Sequence, residues 1–248
     1  MNVLGIDIGG SALKGAPVDT ATGTLLAERF RVPTETVFTP AKVARAVREI
    51  VEHFDWKGPV GIGFPGVVRG ERILTSANLH PAFVGCNGEA LFRKSLGLPV
   101  SLLNDADAAG LAEVAFGAGR GKAGTVLMLT FGTGVGSALF VDGRLYPNSE
   151  LGHLPMGRGP AEKRVSAAAK ERKGLSYKKW GGRVNEYLQV VETILCPQLI
   201  IMGGGISQDH AKWFKHLKIA TPVTPARFLN EAGIVGAALH AAGRPSVG

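Results

Sequence analysis

Val3-Leu4-Gly5-Ile6-Asp7-Ile8-Gly9-Gly10-Ser11 is an apolar strand that runs into a glycine turn, and Ala12–Val18 leads back out of it. The same order returns at Val126-Leu127-Met128-Leu129-Thr130-Phe131-Gly132-Thr133-Gly134. There Ser137–Val141 is the returning strand and Asp142-Gly143 the hairpin turn. A shift of 123 residues lays Val3 on Val126, Leu4 on Leu127, Gly9 on Gly132, Val18 on Val141 and Asp19 on Asp142, five identities in seventeen positions. Strand, glycine turn, strand and turn in one order read as an ancient duplication, which predicts two related lobes facing each other across a cleft.

Outward from the first copy, the Asp19–Gly23 turn and a strand from Thr24 complete an antiparallel meander. A helix is expected from Pro40, with Thr39 as N-cap and Val43, Val47, Ile50, Val51 and Phe54 at helical spacing. Strands follow at Pro59–Phe64 and Pro99–Leu103, the latter leading through Asn104-Asp105 into an alanine-rich helix over 106–116. Beyond the second copy, 157–173 reads as basic and partly helical. A longer helix over 176–195 puts Trp180, Val184, Tyr187, Leu188, Val191, Ile194 and Leu195 on one face. A buried strand Gln198–Met202 ends in Gly203-Gly204-Gly205, Ser207 is positioned to cap another helix, and a last helix spans about 230–242. Alternating strands and helices with antiparallel hairpins give an α/β fold with mixed sheets.

The 248 residues suit two small lobes, and 45% hydrophobic against 19% charged residues points away from disorder. The 35 glycines are assigned to turns and ligand loops. Lys and Arg outnumber Asp and Glu 28 to 20, for a formal charge of +8, which raises a polyanionic partner. Cys86 and Cys196 lie in no CxxC or CxxH spacing, so neither a disulfide framework nor a zinc knuckle is expected. With no leader pattern and no membrane-length apolar run, the expected compartment is the cytoplasm.

An ionised Asp7 between two isoleucines is costly unless a cation, water or donors compensate it. Gly9 and Gly10 allow backbone N–H groups to approach a phosphate, Ser11 adds a hydroxyl and Lys14 a positive charge. An ordinary hairpin turn is the alternative, and the second copy, Gly132-Thr133-Gly134, weakens it. Asn104-Asp105 lies at the carboxyl end of a strand, where open α/β sheets place ligand groups, although either residue could instead cap the following helix. Glu150 and His153 join an acceptor and a switchable donor on one short loop suited to sugar hydroxyls, against a purely structural histidine.

Taken in order, Asp7-x-Gly9-Gly10-Ser11, Pro65-Gly66, Ser76-Ala77-Asn78-Leu79, Asn104-Asp105-Ala106, Gly132-Thr133-Gly134-x-Gly136, Glu150-x-Gly152-His153 and Gly203-Gly204-Gly205-Ile206-Ser207 resemble the repressor/open-reading-frame/kinase (ROK) sugar kinases. The resemblance covers almost the whole chain. It implies two actin-like (ribonuclease H-like) lobes with the active site in the interlobe cleft. The expected division is 1–105 with 232–248, a small lobe completed by the returning C-terminal helix, and 106–231, a larger one. Asp105 would be the general base for the sugar 6-hydroxyl. Gly66, Asn78, Asn104, Glu150 and His153 would line or grip the sugar. Asp7, Gly9, Gly10, Ser11, Lys14, Gly132, Thr133, Gly134, Gly204 and Gly205 would hold the phosphate donor, Asp7 organising Mg²⁺ through water.

Many members of that family follow the glycine-histidine pair with a cysteine-rich zinc loop. Here no cysteine occurs between His153 and Cys196, so no zinc site is expected. In its place, 157–183 carries nine cations and two anions, +7 of the total +8. Such a zinc-free chain is similar to the polyphosphate glucokinases, and Arg158, Lys163, Arg164, Lys170, Arg172 and Lys173 would form a track for a linear polyanion. A solvated basic helix face is the alternative. The implied activity is phosphoryl transfer from inorganic polyphosphate, and also ATP, to glucose, with mannose open, by a monomer or homodimer. A strictly ATP-dependent hexokinase is the runner-up. A sugar-sensing repressor is disfavoured because the first motif begins near residue 5, so neither a helix-turn-helix module nor a specific nucleic-acid partner is expected.

Overall fold

A computed structural model describes residues 1–34, 38–76 and 79–243. Among the described residues the chain separates into two compact units, one of Met1–Ala112 with 231–243, the other Glu113–Asn230.

The first unit opens with β1 (Asn2–Ile8) and β2 (Ala12–Asp19), antiparallel from Asn2–Asp19 to Ile8–Leu13. β3 (Thr24–Leu25) and β4 (Phe30–Pro33) both pair with β2. The sequence signalled β3 but not β4, whose pairing fixes residues distant in the chain. α1 (Pro40–His53) begins as its caps dictate, with Thr39 Oγ1 accepting from Lys42 N at 3.4 Å and Pro40 in the first turn. β5 (Val60–Phe64) follows, then the short β6 (Val68–Arg69) and β7 (Arg72–Ile73). α2 (Gly88–Leu96), β8 (Val100–Asn104) and α3 (Asp105–Ala115) complete the run, and the unit boundary falls inside α3. The sheet order is β3-β2-β1-β5-β8, with β5 and β8 parallel to β1.

The second unit repeats this plan with β9 (Thr125–Phe131), β10 (Val135–Val141) and β11 (Arg144–Tyr146). The short α4 (Glu162–Val165) and α5 (Ala167–Arg172) precede the long α6 (Tyr177–Leu195), followed by β12 (Leu199–Gly203), α7 (His210–Trp213) and β13 (Val223–Pro225). Its order, β11-β10-β9-β12-β13, is an antiparallel meander extended by parallel strands, as in the first sheet. α8 (Ala232–Ala241) then returns to the first unit.

Strands apolar on both faces need cover on both. Leu4, Ile6 and Ile8 of β1 pack into a core with Val43, Val47 and Ile50 of α1, each such side chain contributing roughly 1.5–3 kcal/mol. The opposite face presents Gly5, Gly61 and Asp7 to α8. A β-carbon on Gly5 would collide with the Ile234 carbonyl oxygen, one on Gly61 with that of Ala237, and one on Gly236 with that of Ala108. These glycines let an apolar helix lie directly on the sheet. They correct the assignment of the glycine surplus to turns and ligand loops alone. In the second unit Leu127, Leu129 and Phe131 of β9 pack with Trp180, Val184, Tyr187, Leu188 and Val191 of α6. Ile194, expected on that face, is 58% exposed, because it sits at the edge of the apolar arc in the last turn.

The duplication also differs in register. Ile8 and Leu13 bracket four residues in the first turn, whereas Phe131 and Val135 bracket three in the second. Val18 pairs with Val3, but the partner of Val126 is Phe140. The counterpart of Val18 is thus Phe140 rather than Val141, and a one-residue slip reverses the face. Val18 is buried, while Val141 is 48% exposed. The matches at Val3, Leu4 and Gly9 keep their places, and those at Val18 and Asp19 are out of step by one.

Candidate active site

In the first unit Asp7 stands opposite Lys14 across the β1–β2 pair, and Arg31 on β4 flanks Lys14 from the other side. Burial pushes the Asp7 carboxyl above its ordinary value, with Lys14 pulling the other way. A β-carbon on Gly233, in the first turn of α8, would come within 2.8 Å of the Asp7 carboxyl carbon, so the helix start closes over it. Gly9 N donates to Ala12 O at 3.0 Å, and Thr34 donates to the carbonyls of Gly10 (3.0 Å) and Ser11 (3.2 Å). The carbonyls of the exposed Gly10 and Ser11 are thus taken up by Thr34. Arg31 escaped the sequence reading because only the pairing of β4 brings it here.

Asn104, the last residue of β8, is buried and hydrogen-bonded through both its amide oxygen and its amide nitrogen. Its Oδ1 accepts from Ala106 N at 2.8 Å and Asp107 N at 3.0 Å, capping α3, and its Nδ2 donates to Gly66 O at 3.1 Å. The amide thereby couples the Gly66 turn to the start of the helix whose first residue is Asp105. Asp105 is half-buried, its Oδ1 accepting from Ala106 N at 2.8 Å. Gly66 leaves no room for a side chain, since a β-carbon would strike the Thr75 carbonyl. Asn78 lies outside the described residues.

In the second unit the Gly132-Thr133-Gly134 turn closes through Gly132 N to Gly134 O at 3.0 Å, and Ala168 N donates to Gly132 O at 3.1 Å, fixing α5 to it. Gly204, at φ 83°, presses against Phe131 O where no β-carbon fits. Ser207 is not a helix cap. Its hydroxyl donates to Gly204 O at 2.7 Å inside the 3₁₀ turn Gly205–Asp209, because that turn starts at Gly204 rather than after Ser207. Beside these glycines lies a cavity of about 400 Å³ lined by Phe131, Thr133, Lys170, Tyr177, Ile206 and Asp209 among others. The Tyr177 ring carries the Lys170 ammonium 4.3 Å and the Lys212 ammonium 5.4 Å from its centre, and its hydroxyl donates to Asp209 at 2.6 Å. Tyr177 and Asp209 left no sequence signal, since nothing local joins α6 to the glycine turn.

Glu150 adopts φ 43°, a left-handed conformation costing about 1–3 kcal/mol in a non-glycine residue. It precedes the 3₁₀ turn Leu151–His153, whose Gly152 allows close approach to Val135 O. Glu150 Oε2 lies 3.3 Å from His153 Nε2. Burial pushes the Glu150 carboxyl up, the imidazole opposes this, and Glu162 pushes it up further. The expected pair is therefore assembled, with His153 the more exposed member.

The basic segment is not one uniform track. Arg158, Lys163, Arg172 and Lys173 are exposed, but Arg164 pairs with Glu186 at 2.7 Å and Lys170 is folded onto Tyr177 at the cavity wall. Among the described residues no cluster of three or more His, Cys, Asp or Glu has metal-binding geometry, and no helix is long and apolar enough to cross a membrane.

The chain is 45% identical over 236 residues to a polyphosphate glucokinase of Mycobacterium tuberculosis, covering 95% of this chain and 89% of that protein. It superposes on the inorganic polyphosphate/ATP-glucomannokinase of Arthrobacter sp. strain KM with a TM-score of 0.94 at 45% identity, over 97% and 98% of the two chains. A ROK family glucokinase from Streptomyces griseus, in complex with glucose and AMPPNP, matches with a TM-score of 0.81 at 23% identity over 98% and 100%, a likeness of fold. The architecture is that of the actin-like sugar kinases, and with residues 3–174 matching its sequence pattern the chain belongs to the ROK family.

Proposed function

We propose that this chain is a cytoplasmic glucokinase that moves the terminal phosphoryl group of inorganic polyphosphate, and of ATP, to the 6-hydroxyl of glucose, with mannose as a second acceptor. The kinship with the mycobacterial polyphosphate glucokinase over nearly the full length of both proteins carries this reading. In it, Asp105 accepts the proton of the 6-hydroxyl as that oxygen bonds to phosphorus and the bond to the leaving phosphate breaks, giving glucose 6-phosphate and a donor shorter by one phosphate. Asn104 holds Asp105 and Gly66 in place and grips a sugar hydroxyl as well, since its amide carries two N–H donors. Glu150 and His153 bind sugar hydroxyls, and the two glycine turns hold donor phosphates. The cavity beside Gly132 suits a nucleoside, with Tyr177 as its aromatic wall, which supports ATP as the second donor.

A single carboxylate fits Mg²⁺, which keeps several waters and needs few protein ligands, so Asp7 would hold the ion through water, while the Lys14 ammonium across the strand pair would serve the donor phosphates rather than the cation. When bound, the ion would reduce the charge on the donor phosphates.

The test is a matrix of donors and acceptors with purified protein and Mg²⁺. Glucose 6-phosphate from neither polyphosphate nor ATP refutes the assignment. Replacing Lys163, Arg172 and Lys173 by alanine is expected to remove polyphosphate use and largely spare ATP, and Tyr177→Ala to do the reverse. Equal loss on both donors from the basic variants would favour the ATP-dependent hexokinase instead.

A further inference from the structure

The basic surface of the second unit extends beyond the run 157–183. Tyr177 opens α6 at the wall of the donor cavity, and Lys178, Gly181 and Asn185 follow it at three- and four-residue spacing on one face of the helix. The segment after α7 lies along that face. A β-carbon on Gly181 would come within 3.2 Å of His216 Cβ and 3.3 Å of Trp213 O, and Lys218 N donates to Asn185 Oδ1. Residues 210–218 include Lys212, Lys215 and Lys218 and no Asp or Glu. Lys178, Lys215 and Lys218 are exposed, and among the described residues none of them forms an ion pair. The carboxylates of α6 and of the turn before α7 are committed elsewhere, Glu186 to Arg164, Glu192 to Thr221 and Asp209 to Tyr177 and Lys212. Packing thus adds unneutralised cations, remote in sequence, to the edge of the basic segment.

We propose that Lys178, Lys215 and Lys218 form a distal subsite for a long polyphosphate chain, outside the donor cavity, which only a chain long enough to leave that cavity can reach. This rests on the reading of the protein as a polyphosphate kinase. The subsite continues the cavity, since the Lys212 ammonium stands 5.4 Å from the centre of the Tyr177 ring and residues 213–218 lead away from it. Asn185 is eight residues beyond Tyr177, about 12 Å along the helix, so Lys218 is out of reach of three phosphates seated at the glycine turn. A longer chain reaches it and gains affinity as its outer phosphates release counterions. The surface fits polyphosphate better than a polynucleotide, whose bases need exposed aromatic platforms. Trp213 is buried, Phe214 packs on Trp213 and His210, and the Tyr177 ring carries Lys170.

The experiment compares the wild type with the triple variant Lys178→Gln, Lys215→Gln, Lys218→Gln in steady-state kinetics with glucose, the donors being ATP, tripolyphosphate and a polyphosphate of several tens of units. The KM for the long chain is expected to rise about tenfold at unchanged kcat, and the slope of log KM against log salt to fall by about 2, while KM for tripolyphosphate and ATP stays within about twofold. Arginine at the same three positions keeps the charge and should restore the long-chain KM. An unchanged long-chain KM, an equal rise for tripolyphosphate, or no rescue by arginine would overturn the proposal. So would tighter binding of single-stranded RNA than of long polyphosphate by the wild type, lost in the glutamine variant, which would make the surface a nucleic-acid site. Glucose 6-phosphate formed by the wild type from ATP but from neither polyphosphate would instead overturn the polyphosphate reading, and the proposal with it.

Discussion

Replacing Asn104 by alanine removes three hydrogen-bonding functions at once, from a residue only 5% exposed. Ala106 N keeps an acceptor in Asp105 Oδ1, so the loss falls on Asp107 N and Gly66 O. Loss of a helix cap costs about 1 kcal/mol. A buried group left without its partner costs about 1–3 kcal/mol. Asn104→Ala is therefore expected to destabilise the first unit by about 2–4 kcal/mol. Asn104→Ser separates the parts, because a serine hydroxyl caps nearly as well but cannot reach Gly66, and should lose about half as much. The assay is equilibrium unfolding in urea, reading the midpoint at unchanged slope. Turnover should fall in both variants, since the tether placing Gly66 beside Asp105 is gone. A stability of Asn104→Ala within about 0.5 kcal/mol of wild type, the range of an ordinary surface change, would refute the coupling. So would a serine variant no more stable than the alanine one.

Asp105→Asn should fold normally and lose turnover by about two to four orders of magnitude; near-normal kcat would remove Asp105 as the base. Gly61→Ala drives a methyl into the Ala237 carbonyl and should cost about 3 kcal/mol or prevent folding, while Gly182→Ala, in an open helical position, should stabilise by about 0.5–1 kcal/mol in the same denaturation assay. Burial raises the Asp7 carboxyl above the usual 3.8, so the folded chain keeps a proton that the unfolded chain has released, and stability falls as pH rises through that window. Asp7→Asn should accordingly stabilise the metal-free protein at neutral pH, and the gain should vanish as pH falls below 3.8, measured as Tm against pH. The Tyr187 hydroxyl is buried without a hydrogen-bond partner, so Tyr187→Phe should leave stability unchanged or slightly raised. A loss above about 1 kcal/mol would point to a partner there.

What the chain states locally, its sequence shows openly. The cap at Thr39-Pro40, the apolar stripe of α1, the two strand-glycine-strand hairpins and the turn at Asp142-Gly143 each depend on residues a few positions apart. The structure has them in these places, except that the second returning strand starts at Val135 rather than Ser137 and its turn is one residue shorter than the first. Glu150 and His153 were legible as a pair for the same reason, being three residues apart on one turn. The order of the motifs was enough to indicate the family, because each is short and continuous.

The tertiary structure alone decided whatever joins distant segments. Only its bond to Gly66, 38 residues earlier, showed that Asn104 also ties two distant segments together besides capping α3. Tyr177, Asp209 and Lys170 form a cavity wall only because α5, the start of α6 and the 3₁₀ turn after β12 meet beside the Gly132 turn. Glu162 counted as one anion in a basic run until packing set it against Gly134. Gly5, Gly61 and Gly236 bear no turn signature, and what they provide is the absence of a β-carbon where α8 meets β1, β5 and α3. A sequence displays the side chains that are present and their local spacing. The space that a missing side chain leaves, and the neighbour that fills it, exist only once segments far apart in the chain have been brought together.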